Sequence, residues 1–439
     1  MRIPKSNRSL ARAIVACFRE SPAVALQGLA GFASSEWDRT ETWLDTSGLA
    51  LYFWQHIQSL GIADVVDLSL QRRLEDKFVQ NTQRTAEMLD EFAELNNVFK
   101  QAGFCYANLK GFTLAPDSCP NPALRHQSDY DFLIAPDDLS AARDLLLQRG
   151  YVIAGFTERT LEFKQARRQI ISIAGQYQRL CHRSIELHTS LDTTGPSARD
   201  PRLNRLALWR HRSDTYPALS SPDQFLCQAL HLLGHLRHEY TKVSWLLEYR
   251  QHALAHQHDD TFWNDVRTLA LESTDGPLAL GLVAHIAADL FGDFLSPSVS
   301  SWTHTFLPHG AALWAQKFGR QAVMADIPGT KLYLFLEGTL DDPTHTKATT
   351  LQRLVPLRLP QRVVNGAANG PSRKKLRLSV LWFRLRFHLK QNALYLFRLP
   401  VWKFHVHKSK GIDHGTSVSR HCINSTSHSN RGSETAETR

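Results

Sequence analysis

"LRHQSDYDFLI", Leu124 to Ile134, sets two aspartates one residue apart in a run that otherwise reads as a strand closing on Phe132, Leu133 and Ile134. Strands avoid aspartate more than almost any other residue, so Asp129 and Asp131 call for a physical reason. Side chains alternate across a strand, which sends both carboxylates to one face and Tyr130 and Phe132 to the other. Two carboxylates about 6 Å apart repel by roughly 3 kcal/mol at an effective dielectric of about 20. A divalent cation removes that cost. Mg²⁺ suits the pair, because it takes one or two carboxylates and keeps its other positions for water and substrate phosphates. The plainer reading leaves the aspartates at an exposed strand end, solvated or paired with Arg125.

Outward from this stretch, "FCYANL" (104–109) and "YVIAGF" (151–156) read as strands. Between them "PDDLSAARDLLLQRG" (136–150) has an acidic first turn, apolar Leu139, Ala142, Leu145 and Leu146, and a closing Gly150, the marks of a helix. "QYQRLCH" (176–182) and "SIELHTSL" (184–191) predict a hairpin. In its second arm Ile185 and Leu187 take one face and Glu186 and His188 the other, so a third carboxylate comes into range. An alternating strand with one Glu toward water is also common, and a single His there is more often a hydrogen-bonding group than a ligand.

Residues 8–100 read as helical throughout, and Leu74, Phe78, Met88, Phe92, Leu95 and Phe99 form one stripe that stops at Gly103. Downstream, Ser221 is the expected N-cap with Pro222 in the first helical position. "GPLALGLVAHIAADLFG" (276–292) is apolar on nearly every side and belongs in a helical core. "NGAANGPSRKK" (365–375) has the punctuation of a linker.

A chain of 439 residues with 43% hydrophobic content buries at least one large core. Its six cysteines (Cys17, Cys105, Cys119, Cys181, Cys227, Cys422) form no C-x-x-C pair, so neither a disulfide framework nor a structural zinc site is expected and a reducing cytoplasm fits. The N-terminal apolar core "AIVACF" is too short for a signal peptide, and no apolar stretch is long enough to span a bilayer. The chain is thus expected to be neither exported nor membrane-spanning. Net charge is +9, yet from Pro371 onward 14 Lys and Arg face 3 acids, giving +11 and leaving about −2 by difference for residues 1–370. A near-neutral body argues against a nucleic-acid groove, which needs clustered cations.

The basic segment "RKKLRLSVLWFRLRFHLKQNALYLFRLPVWKFHVHK" (373–408) has two periodicities. As a helix, Leu378, Trp382, Leu385, Leu389 and Leu396 form a stripe suited to an anionic lipid surface at the cytoplasmic face. As a strand, Arg384, Arg386, His388 and Lys390 alternate with Leu385, Phe387 and Leu389. Packing on the protein's own helical domain and contact with a partner protein through 373–406 are the other uses. His231 and His235 lie four apart on a helix, but no glutamate stands beside His231 as in H-E-x-x-H, which favours packing or a substrate pocket. No G-x-x-x-x-G-K-[ST], G-x-G-x-x-G or G-x-S-x-G is present.

The order "NLKG" (108–111), "LRHQSDYDFLI", a helix to "RGY", then "IELHTSL" resembles the uncharacterised nucleotidyltransferase family of the DNA polymerase beta-like superfamily. The likeness covers about residues 60–260 and extends more loosely to "HLLGHLRHEYTKVSWLLEY" (231–249). It implies transfer of a nucleotidyl group from an NTP to an acceptor with two Mg²⁺ ions, for which Mn²⁺ can substitute. Asp129, Asp131 and Glu186 would be the catalytic, metal-holding carboxylates. Lys110, Gly111, Thr113, Arg125 and His188 would contact substrate, with the turn at Gly111 and the following helix N-terminus meeting the triphosphate. The wider superfamily has Gly-Ser where this chain has Gly111-Phe112 with Thr113 behind, and Glu248 stands where the family has Asp.

The whole reads as α+β: an N-terminal helical region (1–100), a small mixed-sheet nucleotidyltransferase-like core (101–198), a C-terminal helical domain (199–360), a basic aromatic segment (361–406) and a disordered tail (407–439). The function expected is NMP transfer to a non-nucleic-acid acceptor, whether small molecule, sugar, peptide or protein. A catalytically silent binding protein with the same fold is the alternative. A D-x-D glycosyltransferase is disfavoured, because no doubly wound nucleotide-sugar domain precedes Asp129.

Overall fold

A computed structural model describes residues 7–165, 173, 175–179, 183–191, 199–340, 350, 352–354 and 371–423, with side chains of the last stretch described over 382–408. It comprises two compact units, Met1–Val380 and Leu381–Arg439. The first opens with helices α1 (Arg8–Cys17), α2 (Pro22–Leu29), α3 (Ser34–Ser47), α4 (Ala50–Ser59) and α5 (Leu68–Gln101). Asp67 caps α5 by accepting from the Ser69 amide at 2.9 Å. The chain then turns at Gly103, whose φ of 72° is a left-handed conformation that glycine adopts without cost.

Seven strands and one helix follow: β1 (Tyr106–Leu109), β2 (Asp129–Ile134), α6 (Leu139–Gln148), β3 (Tyr151–Phe156), β4 (Thr160–Gln165), β5 (Ser184–His188), β6 (Leu206–His211) and β7 (Asp214–Leu219). They form one mixed sheet in the order β3-β4-β5-β2-β1-β7-β6. β2 runs parallel to β5 and β1 parallel to β7, while β1 with β2 and β4 with β5 are antiparallel. The helical part continues with α7 (Ser221–Leu236), α8 (Val243–Ala255), α9 (Asp260–Glu272), α10 (Gly276–Phe291), α11 (Pro297–Thr305), α12 (His309–Trp314), α13 (Arg320–Val323) and α14 (Tyr333–Leu340). The fold is α+β.

Alternation along the strands decides what each face of the sheet carries. Met88, Phe92, Leu95 and Phe99 of α5 pack on Tyr106, Tyr130, Phe132, Ile134, Ile185 and Leu187, which form one fully buried apolar layer. The opposite face holds a smaller cluster of Ala107, Leu109, Leu133, Leu203 and Leu219. The middle of α5 departs from the apolar stripe. Phe78 is only half-buried, whereas Asn81, Arg84 and Thr85 are buried. These polar side chains grip the loop before β2. Asn81 Nδ2 donates to the carbonyls of Ala123 (2.7 Å) and Arg125 (3.2 Å), and Arg84 donates to the Gln127 carbonyl.

Several expectations are corrected. β5 is paired, but with β4 and β2 rather than with "QYQRLCH": residues 176–179 are turns, and 180–182 lie outside the described residues. Charged side chains hid β4, whose Glu162 and Lys164 pair with each other at 2.7 Å on its polar face. The hairpin β6–β7 adds two strands beyond position 198, inside a region read as helical, because Arg and Asp interrupt its apolar alternation. The expected boundary near 198 itself lies outside the described residues. Ser220, not Ser221, caps α7, accepting from the Asp223 amide at 3.3 Å and freeing the Ser221 hydroxyl.

The second periodicity question is also answered: Pro371–Ile423 is helix, designated α15, with Pro400 inside it. It runs through 407–423, which composition alone reads as disordered, since extending a formed helix costs far less than starting one. Trp382, Leu385, Leu389, Leu396, Phe397 and Phe404 of α15 are exposed. Residues 361–370 and 424–439 of the expected linker and tail lie outside the described residues. Among the described residues no helix is long and apolar enough to cross a membrane.

Candidate active site

The face of β2 and β5 turned away from α5 carries the acids. Parallel pairing sets Asp131 opposite Glu186, Asp129 opposite Ser184 and Leu133 opposite His188. Ligand atoms of Asp131, Glu186 and His188 all lie within 4.8 Å of one another. His188 Nε2 sits between the carboxylates, 3.0 Å from Asp131 Oδ1 and 3.4 Å from Glu186 Oε2, and the Thr160 hydroxyl is 3.2 Å from its Nδ1. Asp131 is 5% exposed. Asp129, one pleat away, is outside the tight group but feels the charge of both other acids.

Lys110 closes the site from the end of β1, its Nζ 3.5 Å from Asp131 Oδ1. The backbone there is unusual: Lys110 has φ 49°, ψ −154°, a region populated almost wholly by glycine, and Gly111 follows at φ 54°. A Cβ at Gly111 would lie 2.4 Å from Gln127 Nε2 and displace that carboxamide, and the positive φ itself favours glycine here. Gln127 Nε2 in turn donates to the Asp129 carbonyl at 2.9 Å. The helix expected after Gly111 is a single 3-10 turn, Gly111–Leu114, too short for a sizeable dipole, and Pro116 has no N–H with which to continue it. The Thr113 hydroxyl donates to the Lys110 carbonyl at 2.8 Å and so holds this turn.

Charges divide by sign. Burial opposes the ammonium of Lys110, but Asp131, Asp129 and Glu186 outweigh it and raise its pKa. Burial likewise opposes charge on His188, and hydrogen bonds to Asp131 and Glu186 reverse the balance. For Asp131, burial raises the pKa, yet Lys110 and His188 together pull it well below the usual carboxylate range. Asp129 is left uncompensated: burial first, then Asp131 and Glu186, push it from 3.8 up to about 6. An acidic face with one underpaired carboxyl fits a divalent cation, which would ionise Asp129 and supply the missing charge.

Helices α7 and α8 and the loop before β2 make the other wall. Arg125 Nε is bound by both oxygens of Glu248, at 3.2 and 3.3 Å, and Tyr52 of α4 donates to Glu248 Oε1 at 2.9 Å. Glu248, 2% exposed, is thus the anchor that aims Arg125, and the charge of Arg125 in turn acts on Asp129. Lys242, not singled out by sequence reasoning, lies in the same field: burial and Arg125 lower its pKa, with Asp129 and Glu248 opposing. Its Nζ stands 5.3 Å from the Trp245 ring centre. His231 and His235 pack on Trp245 with ring centres 4.7 and 4.5 Å away, and burial, with Lys110 next, keeps His231 neutral. Their packing agrees with the role read from sequence. A cavity of about 270 Å³ lined by Leu233, Gly234, Arg237, Glu337 and Arg353 contains none of these acids.

The structure therefore brings Lys110, Asp131, Glu186 and His188 into direct contact, with Asp129 and Gly111 adjoining. It ties Arg125 to Glu248 and Thr113 to the turn. Tyr52, Arg84, Gln127 and Lys242 were missed. Of these, Lys242 lies inside the "HEYTKVSWLLEY" segment and Gln127 inside "LRHQSDYDFLI", whereas Tyr52 and Arg84 carried no sequence signal.

With fold and acids in place, the affiliation follows. The chain belongs to the family of uncharacterised nucleotidyltransferases, whose family model matches residues 33–292, from α3 through α10. No curated protein matches it.

Two outcomes are expected. Glu248→Ala leaves the half-buried Arg125 charge without its carboxylate and lowers unfolding free energy by up to about 3 kcal/mol in urea titration. For Asp129, whose folded pKa is raised, the stability contribution of the metal-free protein is present below 3.8 and lost as pH rises through about 6. A divalent cation held at this face would favour the ionised form, so a Tm increase on adding MgCl₂ would grow from pH about 5 to about 7. Thermal melts across that range check this, and Asp129→Asn flattens the dependence.

Proposed function

We propose that this family member is an active Mg²⁺-dependent nucleotidyltransferase that moves NMP from an NTP to a hydroxyl or similar group of a non-nucleic-acid acceptor. The observation that carries the reading is the register of β2 with β5, which sets Asp131 beside Glu186 on one face while Asp129 shares that face. In this reading Asp129, Asp131 and Glu186 would hold the Mg²⁺, with Glu186 serving the acceptor side, and the metal would supply charge neutralisation at the α-phosphate.

The chain's own groups do the rest. Lys110 is already paired with Asp131, and it turns to the β- and γ-phosphates once the metal nucleotide supplies positive charge to the acids. The Gly111 turn brings backbone close to the phosphates, while Arg125 and Lys242 form the cationic rim. Such a division, acids within and cations around, matches a ligand that itself carries both signs. His188 orients Asp131 and Glu186 through its Nε2. The acceptor oxygen forms a new bond to the α-phosphorus, and the bond from that phosphorus to the bridging oxygen breaks. Pyrophosphate leaves with the electron pair, and the acceptor proton passes to water.

Incubating the protein with α- or γ-labelled NTPs and candidate acceptors tests the reading. Label moves to the acceptor from the α position only, and Asp131→Asn and Glu186→Gln reduce it by about 100-fold or more. Equal transfer by wild type and both variants rejects the site, and absence of Mg²⁺ and NTP binding by calorimetry favours a silent binding protein.

The helix α15 supplies a second contact, with an anionic lipid surface at the cytoplasmic face. Supporting this are its exposed Trp382, Leu389, Phe397 and Phe404 among Arg384, Arg386, Lys390, Arg398 and Lys403. Co-sedimentation with phosphatidylserine vesicles but not with phosphatidylcholine vesicles is the expected result, and Trp382→Glu/Phe397→Glu abolishes it.

A further inference from the structure

Away from the carboxylate face, α8 presents His252 and His256, one turn apart, to Asp117 of the loop beyond Leu114 and to Ser221 in the first turn of α7. His256 Nε2 is 3.0 Å from Asp117 Oδ2, and His252 Nε2 is 3.8 Å from the same oxygen. Ser221 Oγ lies 2.9 Å from His252 Nε2, 3.0 Å from His256 Nε2 and 3.2 Å from Asp117 Oδ2. Four donor atoms on three separate segments thus converge, with five of their six separations between 2.9 and 3.8 Å and the two imidazole nitrogens within 4.8 Å of each other. Ligands at metal bonds of 2.0–2.1 Å in a tetrahedron stand about 3.3 Å apart.

The far sides of both rings are also provided for. His256 Nδ1 has the Asp259 carboxylate at 3.6 Å, which favours a proton on Nδ1 and leaves Nε2 as a lone pair. With that tautomer, His256 Nε2 and Asp117 Oδ2 are two acceptors 3.0 Å apart, a contact that either a bound cation or a proton on Nε2 satisfies. His252, 1% exposed, has Nδ1 against the buried Gln228 amide at 2.7 Å and the Ser118 hydroxyl at 3.1 Å. Gln228 Nε2 is the atom facing Nδ1; rotating that carboxamide end for end presents its oxygen as an acceptor for Nδ1–H, in exchange for its present bonds from the Ser118 hydroxyl at 3.2 Å and to the Gln224 carbonyl at 3.5 Å. Phe262 stacks on His256 with ring centres 4.1 Å apart and shields one side, while Asp117 and His256 remain partly open to solvent, giving an ion a way in.

We propose that Asp117, His252 and His256 form a binding site for one four-coordinate divalent transition-metal ion, zinc in the first instance, with Ser221 Oγ or a water as fourth ligand. Two imidazoles and a carboxylate suit zinc and disfavour Mg²⁺, which prefers oxygen ligands. The ion fastens the loop that descends from the Gly111 turn onto α7 and α8. It is a structural clasp, independent of the nucleotidyl-transfer reading.

The test uses full-length protein stripped by chelator and reloaded with Co²⁺ or Zn²⁺ alone, in an Asp131→Asn/Glu186→Gln background that breaks up the second such ligand group among the described residues. One equivalent of Co²⁺ giving the visible bands of a four-coordinate ion is expected, together with a Zn²⁺-dependent rise in Tm. His256→Ala and Asp117→Asn each remove the bands and lower Zn²⁺ affinity by at least 100-fold, whereas the exposed-site control His258→Ala leaves both intact. Circular dichroism confirms that the variants are folded. Failure of the folded protein to bind either ion overturns the proposal, as do bands of a six-coordinate ion or bands that persist in both ligand variants. A proton shared by Asp117 and His256 in place of a metal gives the first of these results.

Discussion

Phe132 and Leu187 must face α5, and because β2 and β5 run parallel in register, Asp131 and Glu186 can only face the other way. This pairing is the constraint on which the site depends. A slip of β2 by one residue would turn Asp129 and Asp131 under α5, expose Tyr130 and Phe132, and leave Glu186 alone on the other face. The apolar core thereby enforces the polar geometry, and the energy that holds the acids together comes from the opposite side of the sheet.

What the core imposes, the neighbouring charges partly relieve. Lys110 and His188 both contact Asp131, whereas Asp129 keeps its raised pKa. Arg125 is nearby but committed to Glu248, itself held by Tyr52. The result is an acidic surface whose repulsion is reduced without being cancelled, and that residual charge gives a divalent cation something to bind. Helices remote in sequence contribute to this balance, since α4 provides Tyr52, α5 clamps the loop bearing Arg125, and α8 with its N-cap residue Lys242 brings Glu248.

Much of this was legible in the residues. Asp129 and Asp131 defied strand preference, and alternation alone assigned their common face and that of Glu186. The stripe from Met88 to Phe99 marked the helix that backs the sheet. The hidden parts share a physical cause. β4 and β6 carry charges on a solvated face, which blurs the period of two. Asn81 and Arg84 look like surface residues of a long helix, and only the path of a loop some forty positions later makes them buried hydrogen-bond donors. Glu248 was seen as a conservative change in charge. Its work as an anchor for Arg125 depends on two segments separated by more than a hundred residues.

The backbone at Lys110 has a consequence for anyone reshaping this protein. A conformation that glycine takes freely is occupied by a long cationic side chain, at a cost of about 1–3 kcal/mol. Exchange to Gly would relieve that strain, yet it would also take away the ammonium that stands 3.5 Å from the buried Asp131 and leave the acids facing one another. Backbone ease and charge balance pull in opposite directions at this one residue, so a library that scores either alone would misjudge it.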